Sequence, residues 1–296
     1  MIKKIIYALK RRRLLNFIPD KIYLKLMYYV RMGKKLNLNN PKTFNEKLQW
    51  LKLYDRKDIY NKMVDKYEVK KYIAEIIGEE YIIPTLGIYN KFDEINFDIL
   101  PEQFVIKCTH DSGGIVICDD KSHFDLEKAK NKIKNSMKKN YFYDGREWPY
   151  KNIEPRIIIE KYMKDHKEND LFDYKIMCFN GIPKYTFVYS ERFSETGVKA
   201  TFFDNSWNEL NFSRKFGKSD KMINKPLNHN KMLELSKKIA SNIPFVRIDW
   251  YEVNGKLYFG EITFFPSSGF GKFEPEECDM KLGNMIDLKR GLKNEK

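Results

Sequence analysis

Two strand-like runs near the end of the chain constrain its fold more than any other feature. Residues 245–250 and 256–263 are rich in β-branched and aromatic side chains, and Asn254-Gly255 stands between them. An Asn-Gly pair in this position is typical of a tight β-hairpin, because both residues tolerate the left-handed backbone that the turn requires. The sequence therefore predicts two neighbouring antiparallel strands here.

Charged and polar side chains fall on one face of this hairpin. Arg247 and Asp249 are two residues apart on the first strand, and Glu261 and Thr263 are two apart on the second, so each pair shares a face of its strand. Carboxylates that leave room for substrate phosphates are the usual ligands of Mg²⁺. A cross-strand ion pair between the arginine and an acid explains the same pattern without a metal.

The rest of the chain alternates between helical and strand-like patterns. Capping signals followed by apolar residues at helical spacing predict helices after Thr43, after Asp65 with an end at Gly78, and after Asp125. A further helix is predicted around 232–243, and strands are predicted at 104–108, 115–118, 156–160, 173–178 and 184–189. Asn180-Gly181 predicts a hairpin turn between the last two of these strands. Together these elements predict an α+β fold, mainly antiparallel sheet with flanking helices.

Lysines stand at three of these elements. Lys107 precedes the glycine-rich tip Ser112-Gly113-Gly114 of a predicted hairpin, where a lysine and unobstructed backbone N–H groups can meet the same phosphate. Lys66 is expected in the first turn of the second helix, where helix N–H groups favour an anion, and Lys175 shares a strand face with Asp173. An ordinary tight turn and surface charges explain each feature taken singly.

Positive charge is concentrated at the N-terminus. The 296-residue chain has a formal net charge of +14, and residues 1–40 hold seven lysines and four arginines against the single acid Asp20. The body is therefore nearly neutral, and nucleic-acid binding is not expected. Apolar residues are interleaved with the basic ones, as in helices that lie on an anionic membrane surface. A solvated helix that packs on the body has the same pattern.

Composition and missing motifs exclude other classes. An apolar fraction of 42% argues against disorder, and no apolar run is long enough for a transmembrane helix. The N-terminal apolar run lacks the cleavage site of a secretory signal, and the four cysteines have no CxxC spacing, so a cytoplasmic location is expected. The sequence also lacks the GxxxxGK[ST] motif of P-loop proteins and the GxSxG motif of serine hydrolases.

The order of these features resembles the ATP-grasp superfamily, and within it the TupA-like group associated with teichuronopeptide and other cell-surface polysaccharide synthesis. The stretches that carry the resemblance lie within residues 40–271 and are NPKTFNEKLQWLKLYDR, VDKYEVKKYI, FVIKCTHDSGG, IIIEKYM, DYKIMCFNG and VRIDWYEVNGKLYFGEITFFPSSGF. The resemblance implies an ATP-grasp fold, in which two α+β subdomains with antiparallel sheets grip ATP.

The charge distribution and the resemblance together imply a domain organisation. A basic amphipathic N-terminal arm (1–40) precedes an ATP-grasp catalytic domain (41–284), and a polar tail (285–296) follows it. The catalytic domain comprises a lobe with the lysines and the glycine hairpin (65–160) and a metal-binding lobe (161–284). Because little chain precedes the first lobe, acceptor binding is expected to use the arm, the central loops or another protein.

Individual residues receive nucleotide-binding roles from the resemblance. Those expected at the phosphates are Lys66, Lys107, Lys175, Ser112, Gly113 and Gly114. Those expected at the adenine are Glu160, Lys161 and Tyr162. The ribose is expected at Asp173, with Asp170 as the alternative.

The resemblance places the metal and the reaction at the last hairpin. Asp249 and Glu261 are the implied magnesium ligands. Thr263 stands where the family usually has an asparagine, and a hydroxyl is a poorer ligand than an amide carbonyl. Arg247 is the implied residue that steadies an acyl phosphate, and Lys107 and Lys175 complete the catalytic set.

The implied activity is that of an ATP- and Mg²⁺-dependent, ADP-forming carboxylate–amine ligase that acts through an acyl phosphate. The implied partners are an amino acid and an anionic, uronic-acid-containing glycan, with peripheral contact of residues 1–40 at the inner face of the plasma membrane. Two alternatives stay open. One is a glycosyltransferase, which would want a metal-binding DxD that this sequence lacks; the other is a non-catalytic module that binds nucleotide or glycan, for which Thr263 is the main support.

Overall fold

The computed structural model describes residues 2–164, 172–191, 197–214 and 216–289. The helices within them are α1 (Ile2–Arg11), α2 (Asp20–Met32), α3 (Phe44–Tyr54), α4 (Ile59–Val64), α5 (Glu68–Ile77), α6 (Leu126–Met137), α7 (Phe142–Gly145), α8 (His229–Ile239) and α9 (Glu277–Asn284). The strands are β1 (Thr85–Tyr89), β2 (Phe104–Cys108), β3 (Ile115–Cys118), β4 (Ile157–Lys161), β5 (Asp173–Phe179), β6 (Ile182–Ser190), β7 (Lys199–Asp204), β8 (Ser213–Arg214), β9 (Phe245–Val253), β10 (Lys256–Thr263) and β11 (Phe273–Glu274).

Two antiparallel sheets form the frame of the molecule. The larger has the strand order β10-β9-β5-β6-β7, and the smaller has the order β1-β4-β2-β3. The larger sheet shares a core with α3, α4, α5 and α8, whereas the smaller sheet packs on α6 around a second core. This architecture confirms the predicted α+β class, and a cavity between the two sheets receives side chains from both.

Both Asn-Gly hairpins that the sequence predicts are present. Asn180-Gly181 joins β5 to β6, and Asn254-Gly255 joins β9 to β10, with positive φ at all four residues. This is the backbone that a two-residue hairpin turn requires. The glycine-tipped hairpin is also present as the antiparallel pair of β2 and β3.

The capping signals mark real helix starts. Thr43 and Glu46 form a complete capping box at α3, and Asp125 caps α6. At α5 the carboxylate of Asp65 accepts hydrogen bonds from the backbone N–H groups of Tyr67 and Glu68. The helix therefore begins at Glu68, and the expectation that Lys66 lies in its first turn is wrong, because the chain reaches helical geometry only after the Asp65 cap.

The two N-terminal helices pack on the body of the protein. Residues Tyr23 and Leu24 of α2 are fully buried. Arg146, which is 1% exposed, donates hydrogen bonds to the carbonyls of Leu15 (2.9 Å), Asn16 (3.0 Å) and Ile18 (3.2 Å). Buried arginine is costly unless its donors are satisfied, so this contact anchors the segment between α1 and α2. The boundary at residue 40 and the two lobe boundaries stay predictions.

Apolar side chains remain exposed on the segment between α1 and α2. Phe17 is 91% exposed, and Leu14 beside it is 53% exposed. Within the described ranges, no helix is both long enough and apolar enough to pass through a bilayer.

Candidate active site

A cavity of about 370 Å³ lies between the two sheets. Both sheets, the tip between β2 and β3, the loop before α5 and α5 itself contribute polar side chains to it. Among them are Lys66, Lys70, Lys107, Asp111, Ser112, Glu160, Asp173, Asp249 and Glu261. Backbone at Gly113 and Gly114 forms another part of the wall. The fold thus gathers charged residues that are nearly 200 positions apart in the sequence, from Lys66 to Glu261.

The tip of the β2–β3 hairpin is held closed by Asp111. Its carboxylate accepts from the backbone N–H of Gly114 at 3.1 Å. A Cβ at Gly114 would stand 2.7 Å from Cys108 Sγ and 2.9 Å from the same carboxylate, so a larger residue would force one of these side chains to move. Gly113 has φ of 151° with open space around it, and its backbone can approach a ligand closely.

Four charged side chains connect the loop before α5 and α5 itself to the smaller sheet. Glu160 pairs with Lys107 at 2.5 Å and also with Lys70. Burial alone would raise the pKa of Glu160, but the two lysines outweigh burial and hold that pKa at about 2. Lys66 donates to the backbone carbonyl of Asp111, which ties it to the hairpin tip. Three ammonium groups thus face one cavity, as a polyphosphate ligand would require.

Acids and cations alternate on the face of the larger sheet. Arg247 donates to both carboxylate oxygens of Asp249 at 2.6 Å and to Glu261 Oε1 at 2.8 Å. Lys175 pairs with Asp173 at 2.6 Å and with Asp249. Partial desolvation favours a raised pKa for Glu261, yet Arg247 and Lys175 bring that pKa below its usual value. The carboxylates of Asp173, Asp249 and Glu261 are therefore paired with two cations, Lys175 and Arg247.

A β-bulge sets the position of Glu261. Phe259 pairs with Trp250, but Ile262 pairs with Ile248. Two residues of β10, Gly260 and Glu261, therefore lie opposite a single residue of β9. A Cβ at Gly260 would lie 3.0 Å from the Tyr251 ring and 3.1 Å from the carbonyl oxygen of Asp249. The Glu261 side chain is 49% exposed, and it borders the cavity between the sheets as well as a second one.

The second cavity has a volume of about 810 Å³. It shares Ser112 and Glu261 with the first cavity, so the two meet there. Its walls include Arg247 and Thr263 from the hairpin, Arg31 from α2, and the loop 265–271. Ser267 and Ser268 in this loop have left-handed backbone, with φ of 51° and 55°, a conformation that costs free energy and often marks a ligand site.

A buried polar stripe on α3 holds this loop in place. Asn45 donates to the carbonyl of Gly271, and Gln49 donates to those of Ser268 and Gly269. Lys52 Nζ contacts the carbonyl of Ser268 at 2.8 Å, its hydroxyl at 3.1 Å and the carbonyl of Gly145 at 2.7 Å. All three α3 side chains are 0% exposed. The sequence interpretation missed them, although polar residues at i, i+4 and i+7 of an otherwise amphipathic helix are a readable signal.

A family model described as TupA-like ATPgrasp matches residues 46–287. The chain belongs to the TupA-like ATP-grasp family. The match covers most of the chain and confirms the resemblance that the sequence motifs indicate. No curated protein is significantly similar to the sequence.

Solved structures similar to this TupA-like chain include two D-alanine–D-alanine ligases and a RimK-domain ATP-grasp protein. A D-alanine–D-alanine ligase from Bacillus anthracis complexed with ATP has 17% identity and a TM-score of 0.45, and the match covers 78% of this chain and 66% of that one. The Helicobacter pylori D-alanine–D-alanine ligase has 14% identity, a TM-score of 0.44 and coverages of 84% and 70%. A RimK-domain ATP-grasp protein from Sphaerobacter thermophilus has 8% identity, a TM-score of 0.40 and coverages of 76% and 67%. The chain thus spans about two thirds of the length of these proteins.

Most predicted site residues of the TupA-like chain lie together. Those that line the first cavity are Lys66, Lys107, Ser112, Gly113, Gly114, Glu160, Asp173, Asp249 and Glu261. Lys175 contacts two of them, and Arg247 and Thr263 line the second cavity. Lys161 and Tyr162, expected at the adenine, follow Glu160 at the end of β4 but are not among the lining residues. Asp170 lies outside the described residues. Lys70, Asp111 and Lys52 are additions that only the structure shows.

The carboxylates of the TupA-like chain fit a magnesium ion held jointly with a ligand. Among the described residues, no group of three or more His, Cys, Asp or Glu side chains could hold a metal. Asp249 and Glu261 nevertheless supply two hard oxygen donors that Arg247 now bridges. Mg²⁺ is commonly bound by one or two carboxylates plus substrate phosphates. Thr263 Oγ1 lies 3.3 Å from Glu261 Oε1, so its hydroxyl is bound to a candidate ligand.

Proposed function

We propose that this protein is an ATP- and Mg²⁺-dependent ligase that joins a carboxylate to an amine and forms ADP. The observation that best supports this proposal is that the two cavities adjoin at Ser112 and Glu261. One cavity gathers three lysines around a glycine hairpin, which suits the phosphates of ATP. The other begins at Arg247, where a substrate carboxylate would meet the terminal phosphate.

The expected bond changes need no nucleophilic side chain. An oxygen of the substrate carboxylate attacks the γ-phosphorus, the bond to ADP breaks, and an acyl phosphate forms. The amine nitrogen then attacks the acyl carbon, inorganic phosphate leaves, and the amine loses a proton to solvent. Catalysis of such steps depends on positioning and on stabilising charge.

The residues in and next to the first cavity would perform those two tasks. Lys66 and Lys107 would offset the phosphate charge, and the backbone of Ser112 to Gly114 would lie over the phosphates. Arg247 would hold the reacting carboxylate and, through its planar guanidinium, bind the charge that develops there. Magnesium held by Asp249 and Glu261 would supply charge neutralisation at the phosphates.

We propose further that the acceptor is a uronic-acid-containing glycan of cell-surface polysaccharide synthesis and that the amine is an amino acid. A carboxylate-bearing sugar suits the basic N-terminal helices, and synthesis of such precursors would place the enzyme in the cytoplasm. Peripheral contact of residues 1–40 with the inner face of the plasma membrane is a second use of that surface, favoured by exposed Phe17 and Leu14 beside Arg11 to Arg13.

Trapping of the acyl phosphate tests the ligase proposal. With ATP, Mg²⁺, hexagalacturonate and hydroxylamine in place of the amine, we expect ADP and a sugar hydroxamate in equal amounts. Glu261→Gln should abolish both products, whereas Glu234→Gln, an exposed acid on α8, should leave both unchanged. ADP without hydroxamate, or no ADP at all, would contradict the ligase reaction. Turnover of a uridine-diphosphate sugar instead would favour the glycosyltransferase.

A further inference from the structure

A third cavity continues the two already described. It has a volume of about 560 Å³ and lies between α1 and the segment 138–144. It shares Lys10 and Asp144 with the second cavity, and these two side chains pair at 3.3 Å. The third cavity therefore adjoins the second, as the second adjoins the first at Ser112 and Glu261. We call this series of adjoining cavities, from α1 to Glu261, the path.

The outer cavity is strongly basic. Five of its lining residues are cations, namely Lys10, Arg11, Arg13, Lys138 and Lys139, and Asp144 is the single acid. Arg11, Arg13, Lys138 and Lys139 form no ion pair with any described residue. Like charges held together without partners cost free energy in the folded protein, so an anionic ligand would relieve that repulsion.

The middle cavity carries both signs of charge. Its lining holds four cations and four acids, namely Lys10, Arg31, Arg247 and Lys272 with Asp144, Glu147, Glu261 and Glu274. Arg31 is half-buried, with its guanidinium 4.8 Å from the centre of the Phe270 ring, and it forms no ion pair within the described part of the chain. Lys272 lines the same cavity, and the aromatic rings of Tyr141 and Tyr150 add apolar faces to it. Cations beside apolar faces match a ligand that carries both charge and sugar rings.

We infer that this path, from Arg11 and Lys139 past Arg31 to Arg247, binds the acceptor as an extended anionic polysaccharide chain. The inference rests on the proposed function, because a reacting carboxylate must reach Arg247. A polymer of sugar acids repeats that same carboxylate along its length, so the units behind the reacting one meet Arg31 and then the outer lysines. The N-terminal helices thereby form part of the substrate site.

The geometry favours a polymer chain over a membrane surface as the occupant. A bilayer presents its headgroups on a flat face, whereas the basic side chains here line a path that leads inward to Arg247. The apolar side chains that a bilayer would take up, such as Phe17, are not among the residues that line the path.

Calorimetric titration of the full chain with hexagalacturonate tests this inference. A triple variant of the outer cavity, here called the groove variant, combines Arg11→Gln, Lys138→Gln and Lys139→Gln. Its control combines Lys128→Gln, Lys132→Gln and Lys237→Gln, which remove the same charge from exposed positions elsewhere. We expect the Kd of the groove variant to rise by at least about tenfold, and that of the control by less than about twofold. Arg31→Gln should weaken binding of the hexamer as well. The neutral methyl ester of the hexamer should bind neither the wild type nor any of the variants.

Three results would overturn the inference. They are no binding of the hexamer to the wild type, equal Kd values for the groove variant and its control, and equal binding of the neutral ester. Vesicles of phosphatidylglycerol and phosphatidylcholine form a separate arm: if the groove residues govern vesicle binding and not hexamer binding, the surface docks on a membrane. A magnesium-dependent thermal shift with an ATP analogue, measured on the same wild-type sample, separates failure of this inference from failure of the proposed ligase.

Discussion

Replacement of Arg247 by methionine should lower the free energy of unfolding by about 3–5 kcal/mol, because it leaves carboxylates without their partner. Asp249 is 1% exposed and would keep only Lys175, and Glu261 would lose its contact with the guanidinium. Thermal unfolding should detect a fall in Tm of roughly 6–20 °C. Arg247→Met should also abolish hydroxamate formation.

A double-mutant cycle identifies the cause of this loss. Asp249→Asn removes one of the stranded charges, so the double variant Arg247→Met with Asp249→Asn should be more stable than Arg247→Met alone. Arg247→Lys should lose less stability than Arg247→Met, because charge remains while the bidentate contact is lost. Additive losses in the double variant would mean that the ion pair is energetically irrelevant.

Replacement of Lys52 by methionine should lower the free energy of unfolding by several kcal/mol. The ammonium group donates to the buried carbonyl of Gly145, and an acceptor that loses its donor costs about 1–3 kcal/mol. The Ser268 carbonyl keeps its hydrogen bond from Gln49, but buried Glu147 loses the cation beside it. The ammonium group also holds the left-handed Ser267 and Ser268, whose backbone costs about 1–3 kcal/mol each. Chemical denaturation measures the loss.

Lys52 is a positioning residue, so its variant should also change acceptor binding. Lys52→Met should raise the KM for hexagalacturonate more than it changes binding of an ATP analogue, because loop 265–271 lines the second cavity and not the first. The matched control is Lys47→Met on the same helix, which removes a single contact to the Ile286 carbonyl and should cost about 1 kcal/mol. Equal losses in the two variants, or an unchanged KM in Lys52→Met, would refute the positioning role.

The sequence predicts the hairpins of this fold well because their signals are local. Asn180-Gly181 and Asn254-Gly255 supply the positive φ that the turns need, whatever surrounds them. The capping box at Thr43 likewise acts within one turn of helix. The order of β5, β9 and β10 in one sheet depends instead on contacts between residues 66 to 78 positions apart, and no local sequence pattern predicts it.

The site residues likewise divide into those with a local sequence signal and those brought together by long-range contacts. Arg247, Asp249 and Glu261 are predicted together because one hairpin carries them. Lys70 and Glu160, which pair with each other, are 90 positions apart in the sequence. No local sequence pattern predicts this pairing. The contribution of Arg31 and Lys10 to the cavity wall depends on how the N-terminal helices pack around Arg146, which the sequence left as one of two alternatives.

Thermal unfolding with and without Mg²⁺ and a non-hydrolysable ATP analogue tests the central claim most directly. At analogue near 100 times Kd, the wild type should gain about 2.7 kcal/mol, a rise in Tm of roughly 5–10 °C that depends on Mg²⁺. Lys107→Ala and Glu261→Gln should lose this shift, while Lys128→Ala and Glu234→Gln, at exposed positions outside the cavities, should retain it. A wild type without any shift at millimolar analogue, or a full shift in Lys107→Ala and Glu261→Gln, would contradict a nucleotide site between the two sheets.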